Sequence, residues 1–564
     1  MCNCENCGTG KNPTYYVCKY TPIELIESLG GSCENLNHMP TGFDLADQVV
    51  NPNICGFGKA LLQAVLEGEV HELVLVNCCD TIRSVYDILS ARGDMDFLYM
   101  IDMLHMGGMC SRERIAGQLK GLCKAYESYK GTKFEAEKFK ASFHKPNRVN
   151  GPHLNVLGAR MGQELFDMVQ KVMPLPVENM SCVNNRSVGE VMPPEDMNDF
   201  DQLMEWYAGE ILGQIPCMRM MDNTGRKRLY HDPDLKGIIY HTVKFCDFYS
   251  FEYADIKSHT EVPLLKIESD YTISSSGQLL TRLQAFAESI DMNSVEEGRV
   301  KRMGKGYYAG IDSGSTSTDV VILDKDKKMV CGIILPTGAG AANSADKALK
   351  EALSQTGIEE EDLDAIVTTG YGRGAINAGD KSITEITCHA RGAHYLDPEV
   401  RTVIDIGGQD SKAISLDEEG NVKNFVMNDK CAAGTGRFLD MMARTMEMSL
   451  DELSVRGLEY KEDITISSMC TVFAESEVVS LIAKNKDTDD IVHGLDKAVA
   501  NKTASLVKRV GGTEKYMMTG GVSKNKGLVK TLNEKLGTKM IIHKDAQLCG
   551  ALGAALYAYD MAQN

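Results

Sequence analysis

From residue 307 the chain alternates short apolar runs with polar turns: YYAGI, DSGST, DVVIL, DKDKK, MVCGIIL. Runs this short, bounded by glycine and acidic residues, predict strand, glycine turn, strand, hairpin turn, strand. Ninety-three residues later TVIDIGGQDSKAISLDEEGNVKNFVM follows the same pattern. Each copy opens its first turn on Asp-x-Gly, at Asp312–Gly314 and Asp405–Gly407, and its second on a polar hairpin, DKDKK or DEEGN. A third apolar run, KYMM, ends at Thr519-Gly520-Gly521 before a helical segment, and QLCGALGAALYAY reads as a close-packed small-residue helix.

The first half has a different rhythm, in which an apolar run ends, a cysteine follows and a helical segment starts. Helices are expected from about Pro22, from about Phe57 after Cys55, and after Cys79, which follows the buried run Leu73–Val76. A second such unit starts at HLNVLGARMGQELFDMVQKV and passes Cys182 in MSCVNNR. It continues through GIIYHTVKFC to Cys246, the short run PLLKIESDY and the amphipathic segment GQLLTRLQAFAESI. Strand–loop–helix units place their loops at the carboxyl edge of a parallel sheet, where open α/β folds bind ligands. The polar stretch 291–306, DMNSVEEGRVKRMGKG, is expected as a linker. The predicted organisation is α/β throughout. It places two subdomains at about 1–145 and 146–290, and a duplicated domain at 307–564.

At 564 residues the chain exceeds a single core. Sixty basic against 79 acidic residues, a net charge of −19, argue against nucleic acid as the main partner. No apolar run approaches a membrane span, and MCNCENCGTG lacks the apolar core of a signal peptide, so a cytoplasmic protein is expected. Eighteen cysteines in that setting point to metal or burial rather than to disulfides. Cys2, Cys4 and Cys7 form a CxCxxC that could bind metal or belong to a frayed end, whereas Cys331, Cys470 and Cys549 are expected to be buried.

The duplicated turns suggest a nucleotide clamp. Glycine lets backbone amides approach phosphate oxygens, hydroxyls add donors, and paired aspartates suit Mg²⁺. Gly314, Ser315, Thr316, Ser317, Gly407 and Gly408 are the candidate phosphate residues, and Gly520, Gly521 and Lys524 the adenosine side. Asp312, Asp405 and Gln409 are the candidate catalytic groups. Cys388 and Cys431, each read as lying just ahead of a helix, flank the second turn and suggest a metal–sulfur centre at helix N-termini.

The motifs GIDSGSTSTDVVI, TTGYGR, EITCHARGA, VIDIGGQDSK, MNDKCAAGTGRFL, FAESEV and TGGVSKN cover nearly all of 307–560. They resemble the activators of 2-hydroxyacyl-CoA dehydratases, within the fold shared by acetate and sugar kinases, heat-shock ATPases and actin. That resemblance implies ATP hydrolysis and one [4Fe–4S] cluster bridging a homodimer through Cys388 and Cys431. CKYTPIELIESLG, NICGFGKALL, NCCDTIRSVYDIL, KFCD and GQLLTRLQAF are similar to the 2-hydroxyacyl-CoA dehydratase component D family. That likeness implies a second iron–sulfur cluster on Cys55, Cys79 and Cys246. A double cubane, as in the double-cubane cluster proteins, would draw further ligands from Cys78, Cys110, Cys182 and Cys217. The implied activity is ATP-driven electron transfer from ferredoxin or flavodoxin to a dehydratase-like cluster, here fused to the same chain. A phosphotransferase of the same fold and a non-catalytic ATP-binding regulatory module are the alternatives.

Overall fold

The computed structural model describes residues 12–51, 53–272, 276–291, 302–338, 340–428, 432–466 and 471–563. Cys2, Cys4, Cys7, Cys431, Cys470 and most of the expected linker lie outside these residues. The chain divides into two compact units, Met1–Leu283 and Gln284–Asn564. The division falls within the Ser276–Ile290 helix.

The first unit holds two four-stranded sheets. One runs β2 (Cys33–Asn35), β1 (Thr14–Tyr16), β3 (Glu72–Val76), β4 (Phe97–Ile101), and every pair in it is parallel. The other runs β6 (Val177–Asn179), β5 (His153–Gly158), β7 (Leu235–Val243), β8 (Leu264–Ser269), also all parallel. A parallel sheet is covered on both faces, which is why β3 is apolar without alternation. Its residues nonetheless separate with period two. Leu73 and Leu75 join Leu61, Ile82 and Leu89 in one core, and Val74 and Val76 join Leu119, Leu122 and Tyr207 in another. In both sheets the order reverses beside the first strand, which creates a switch point at the carboxyl ends of β1 and β3 and of β5 and β7.

The second unit contains the duplication read from the sequence. A sheet ordered β11 (Met329–Pro336), β10 (Ser317–Leu323), β9 (Tyr307–Ser313), β12 (Leu363–Thr369), β13 (Lys381–Ser382) is matched by a second. That second sheet runs β16 (Val422–Asn428), β15 (Ser411–Leu416), β14 (Thr402–Ile406), β17 (Tyr516–Thr519). In each, an antiparallel meander is extended by parallel pairing, through β12 and then β13 in the first sheet and through β17 in the second. The register is copied too. Asp312 pairs with Asp319 and Thr369, and Asp405 with Lys412 and Thr519. The Glu385–Leu396 and Cys549–Gln563 helices interlock through small residues. A Cβ on Gly392 would strike the Cys549 carbonyl, and one on Gly553 would strike that of Cys388. Among the described residues no helix is long and apolar enough to cross a membrane.

Candidate functional site

Both glycine turns close in the same way. Gly314 N donates to the Ser317 carbonyl at 2.9 Å, and Gly407 N to the Asp410 carbonyl at 3.0 Å. The two turns touch, because a Cβ on Gly408 would collide with Thr316 Oγ1 and stand 3.3 Å from Ser315 Oγ. Glycine at 408 is what lets them meet. Thr337 steadies the first turn, its hydroxyl donating to the Gly314 carbonyl at 2.8 Å. The second turn is held by the start of the Gly436–Thr445 helix, whose Gly436 and Arg437 amides donate to the Gly407 and Gly408 carbonyls at 2.8 and 2.9 Å. The Gln409 carboxamide oxygen, oriented by its hydrogen-bond partners, accepts from Arg437 at 3.1 Å. Gly520, at φ +80°, brings the third turn against Asp405, and Lys524 is exposed beside it.

Asp312 and Asp405 share one buried imidazole. His389 Nε2 lies 3.8 Å from Asp312 Oδ2, and its Nδ1 lies 3.7 Å from Asp405 Oδ1 and 3.2 Å from Thr519 Oγ1. The Thr519 hydroxyl donates to Asp405 at 3.0 Å. Otherwise the two copies carry opposite charge at the equivalent cross-strand position. Opposite Asp405 stands the buried Lys412, 3.3 Å from it and 2.9 Å from Asp410. Opposite Asp312 stands a second buried acid, Asp319, one of whose oxygens has no hydrogen-bond partner. Like charges facing each other across a strand pair are unfavourable.

The titrations follow that asymmetry. Burial pushes Asp312 up to about 7, and Asp319, Glu385 and Asp405 add to the rise against the pull of His389. Burial likewise takes Asp319 to about 7. Burial acts upward on Asp405 too, but His389, Lys412 and Thr519 outweigh it and hold the group below the ordinary carboxylate range. A surplus of buried, cation-short carboxylate at Asp312 and Asp319 fits a divalent cation such as Mg²⁺. Sequence reading missed Asp319, Lys412 and His389. The first two were legible as the residues seven places after each turn aspartate; His389 was not, because the packing of its helix brings it in.

In the first unit Cys55, Cys79 and Cys246 are each the N-cap of a helix: Gly56–Leu66, Asp80–Arg92 and Asp247–His259. The Cys79 sulfur accepts the Ile82 amide at 3.3 Å. The Cys78 thiol is hydrogen-bonded to those of Cys18 and Cys79. Cys55, Cys79, Cys182 and Cys246 are close enough to Cys246 or to one another to interact electrostatically, as are Cys182, Cys217 and Cys18. Cys217 Sγ is also 3.7 Å from the Tyr249 hydroxyl. The seven thiols thus collect at the switch points, just past the carboxyl ends of β1, β3, β6 and β7 and at loops beside them. Cys18, which the sequence reading passed over, is placed there by β1.

Hydrogen bonds from Cys78 and the Ile82 amide, with the charge of Arg219, outweigh burial and lower Cys79 to about 6. Burial and neighbouring thiols push Cys182 and Cys246 up to about 12. Among the described residues no three sulfurs lie within 4.8 Å of one another, too open for one tetrahedral zinc ion. Several buried thiols that cannot all ionise alone, spaced beyond a single ion, fit an iron–sulfur group. Cys110, by contrast, is exposed in the first turn of the Met109–Lys130 helix.

The expectation that Cys388 lies just ahead of a helix is corrected. It lies inside the Glu385–Leu396 helix, near its start, buried among Tyr308, Val321, Ala551 and Leu552. Burial raises its thiol well above the usual range.

Two family models match the chain. The BadF/BadG/BcrA/BcrD ATPase family model covers residues 309–558. The 2-hydroxyglutaryl-CoA dehydratase D-component model matches twice, over 18–180 and 145–290. The 2-hydroxyisocaproyl-CoA dehydratase activator of Clostridioides difficile is 45% identical over 257 residues, 46% of this chain and 96% of the activator. The (R)-2-hydroxyglutaryl-CoA dehydratase activating ATPase of Acidaminococcus fermentans is also 45% identical, over 45% of this chain and 98% of the relative. The solved structure of component A of that dehydratase from Acidaminococcus fermentans has 43% identity over 46% of this chain and all of its own, with a TM-score of 0.45. The chain therefore belongs to the BadF/BadG/BcrA/BcrD ATPase family, and it carries a D-component-like half ahead of the ATPase.

Proposed function

We propose that the second unit binds Mg·ATP across its two glycine turns and hydrolyses it to drive low-potential electrons toward iron held by the first unit. The observation that carries this reading is the unequal charge of the duplicated hairpins. Asp312 and Asp319 are short of a cation and would hold Mg²⁺, with the turn amides, Ser315, Thr316 and Lys524 toward the phosphates. Asp405, kept ionised by His389, Lys412 and Thr519, would orient a water molecule. Gln409 binds Arg437 at the head of the next helix, so the state of the phosphate turn is passed to that helix.

Iron–sulfur clusters would supply low-potential one-electron chemistry at the two sets of thiols. In the first unit Cys55, Cys79 and Cys246, with Cys18, Cys78, Cys182 and Cys217, would hold the iron. A cluster bridging a homodimer needs two cysteines per chain, and we assign them to Cys388, near the start of the Glu385–Leu396 helix, and Cys431, which precedes the Gly436–Thr445 helix in sequence. The Thr471–Ala483 helix, which packs on the Gly436–Thr445 helix, exposes Val472, Phe473, Val479 and Ile482, an apolar face that a second copy would cover. Ferredoxin or flavodoxin would be the donor, and a dehydratase-like cluster, in this chain or in a separate partner, the acceptor.

The test uses the anaerobically purified full chain. Reductant should bleach the iron absorbance of the first unit only when Mg·ATP is present, and Asp405→Asn should abolish the effect. Cys388→Ala and Cys431→Ser should each remove about one cubane per dimer and leave the iron of the first unit in place. Reduction that proceeds equally without ATP sinks the electron-pump reading. Unchanged iron in either variant sinks the ligand assignment.

A further inference from the structure

The helix that carries His389, Glu385–Leu396, makes no capping bond from its own N-cap residue, Thr384. The Thr384 hydroxyl instead donates to Glu288, in the last turn of the Ser276–Ile290 helix. Glu288 accepts the Thr384 amide at 3.0 Å and the Thr387 hydroxyl as well. One turn earlier, Gln284 Oε1 accepts from Arg373 Nη2 at 2.6 Å, and Arg373 Nη1 donates to Glu385 Oε2 at 3.2 Å. Residues 284 and 288 lie on one face of their helix, so a single face grips the start of the His389 helix at two points. A carboxylate is the favoured group there, because the first amides of a helix are unpaired and its dipole is positive. The ATPase family match begins at residue 309, so both gripping residues lie outside the part of the chain shared with the activators.

We propose that Glu288 is a positioning residue of the ATP site. It fixes the start of the His389 helix, and through it the imidazole between Asp312 and Asp405. His389 sits only about one and a half turns from the capped end, so fraying there moves the ring directly. The proposal rests on the hydrolytic reading above for its kinetic arm but not for its structural one.

Amide exchange followed by mass spectrometry and steady-state ATP hydrolysis, both on the full chain, test it. Glu288→Ala should speed exchange about tenfold at residues 385–390, with the rest of the second unit unchanged. Its kcat should fall about tenfold, with KM for ATP within about twofold of wild type. Glu288→Gln, which keeps one acceptor but no charge, should change both in the same direction by less. Unaltered exchange at 385–390 overturns the proposal, as does an unaltered kcat in an active enzyme. Exchange that rises evenly across the unit, with kcat and KM moving together, shows general destabilisation and overturns it too. If the wild-type chain hydrolyses no ATP, the function proposed above fails, and the local exchange alone decides the role of Glu288.

Discussion

Replacing Asp319 by asparagine should stabilise the second unit while disabling it. In the fold, Asp312 and Asp319 are lifted from ordinary carboxyl behaviour to about 7, first by burial and then by other acids. A carboxyl raised that far loses about 4 kcal/mol when it ionises in the fold, and the two losses overlap because Asp319 contributes to the rise at Asp312. The favourable contribution of the protonated form is complete below about pH 4 and gone once the pH has risen past about 7. Without Mg²⁺ the wild-type unit should therefore weaken between about pH 4 and pH 7, and Asp319→Asn should flatten that slope. Allowing for relaxation, we expect a gain of about 2 kcal/mol near pH 8, or roughly 5 °C in the melting of the second unit. Mg·ADP should close most of the gap by stabilising the wild type more than the variant, since a bound cation replaces the missing protons. Melting curves from about pH 4 to about pH 8, with and without Mg·ADP, alongside ATP turnover, are the assay. A variant no more stable near pH 8, or one stabilised by Mg·ADP as much as wild type, would refute the idea that these two acids are held ready for a cation.

Two further outcomes follow from the geometry. In the iron-free chain Cys79, titrating at about 6, should be alkylated near neutral pH far faster than Cys182 or Cys246, which burial and neighbouring thiols hold at about 12. Peptide mass spectrometry reads the labelling, and equal rates at the three sites contradict the thiolate assignment. Gly408→Ala should lower ATP turnover at least about a hundredfold while the unit stays folded, because the new methyl strikes Thr316 and parts the turns. Near-normal turnover in that variant removes the clamp.

The repeated hairpins were legible because glycine turns and apolar runs are local signals, and the copied register of β9 and β14 follows once both are seen. The cysteine-then-helix pattern was legible for the same reason, and Cys55, Cys79 and Cys246 did prove to be N-caps. What was not legible was long-range. Cys388 was expected just ahead of a helix and lies inside its first turns, where Gly392 and Gly553 let two helices close over it. Nothing in the residues around Cys388 announces a partner helix about 160 positions away. Cys18 was missed because only the sheet order brings β1 beside β3. His389 was missed because its chemistry depends on two aspartates from different sheets.

The three cysteine caps have a consequence for how the first unit ages. Cys79 bonds the Ile82 amide of its own helix, whereas Cys246 makes no side-chain capping bond to its helix. Iron bound at these sulfurs would tie three helix beginnings into one knot, and its loss would loosen all three together. Oxygen damage would then be felt as unravelling as much as lost chemistry, which exposes the Gly56–Leu66 and Asp247–His259 ends to proteases. A chain stripped of its iron would in this way mark itself for removal.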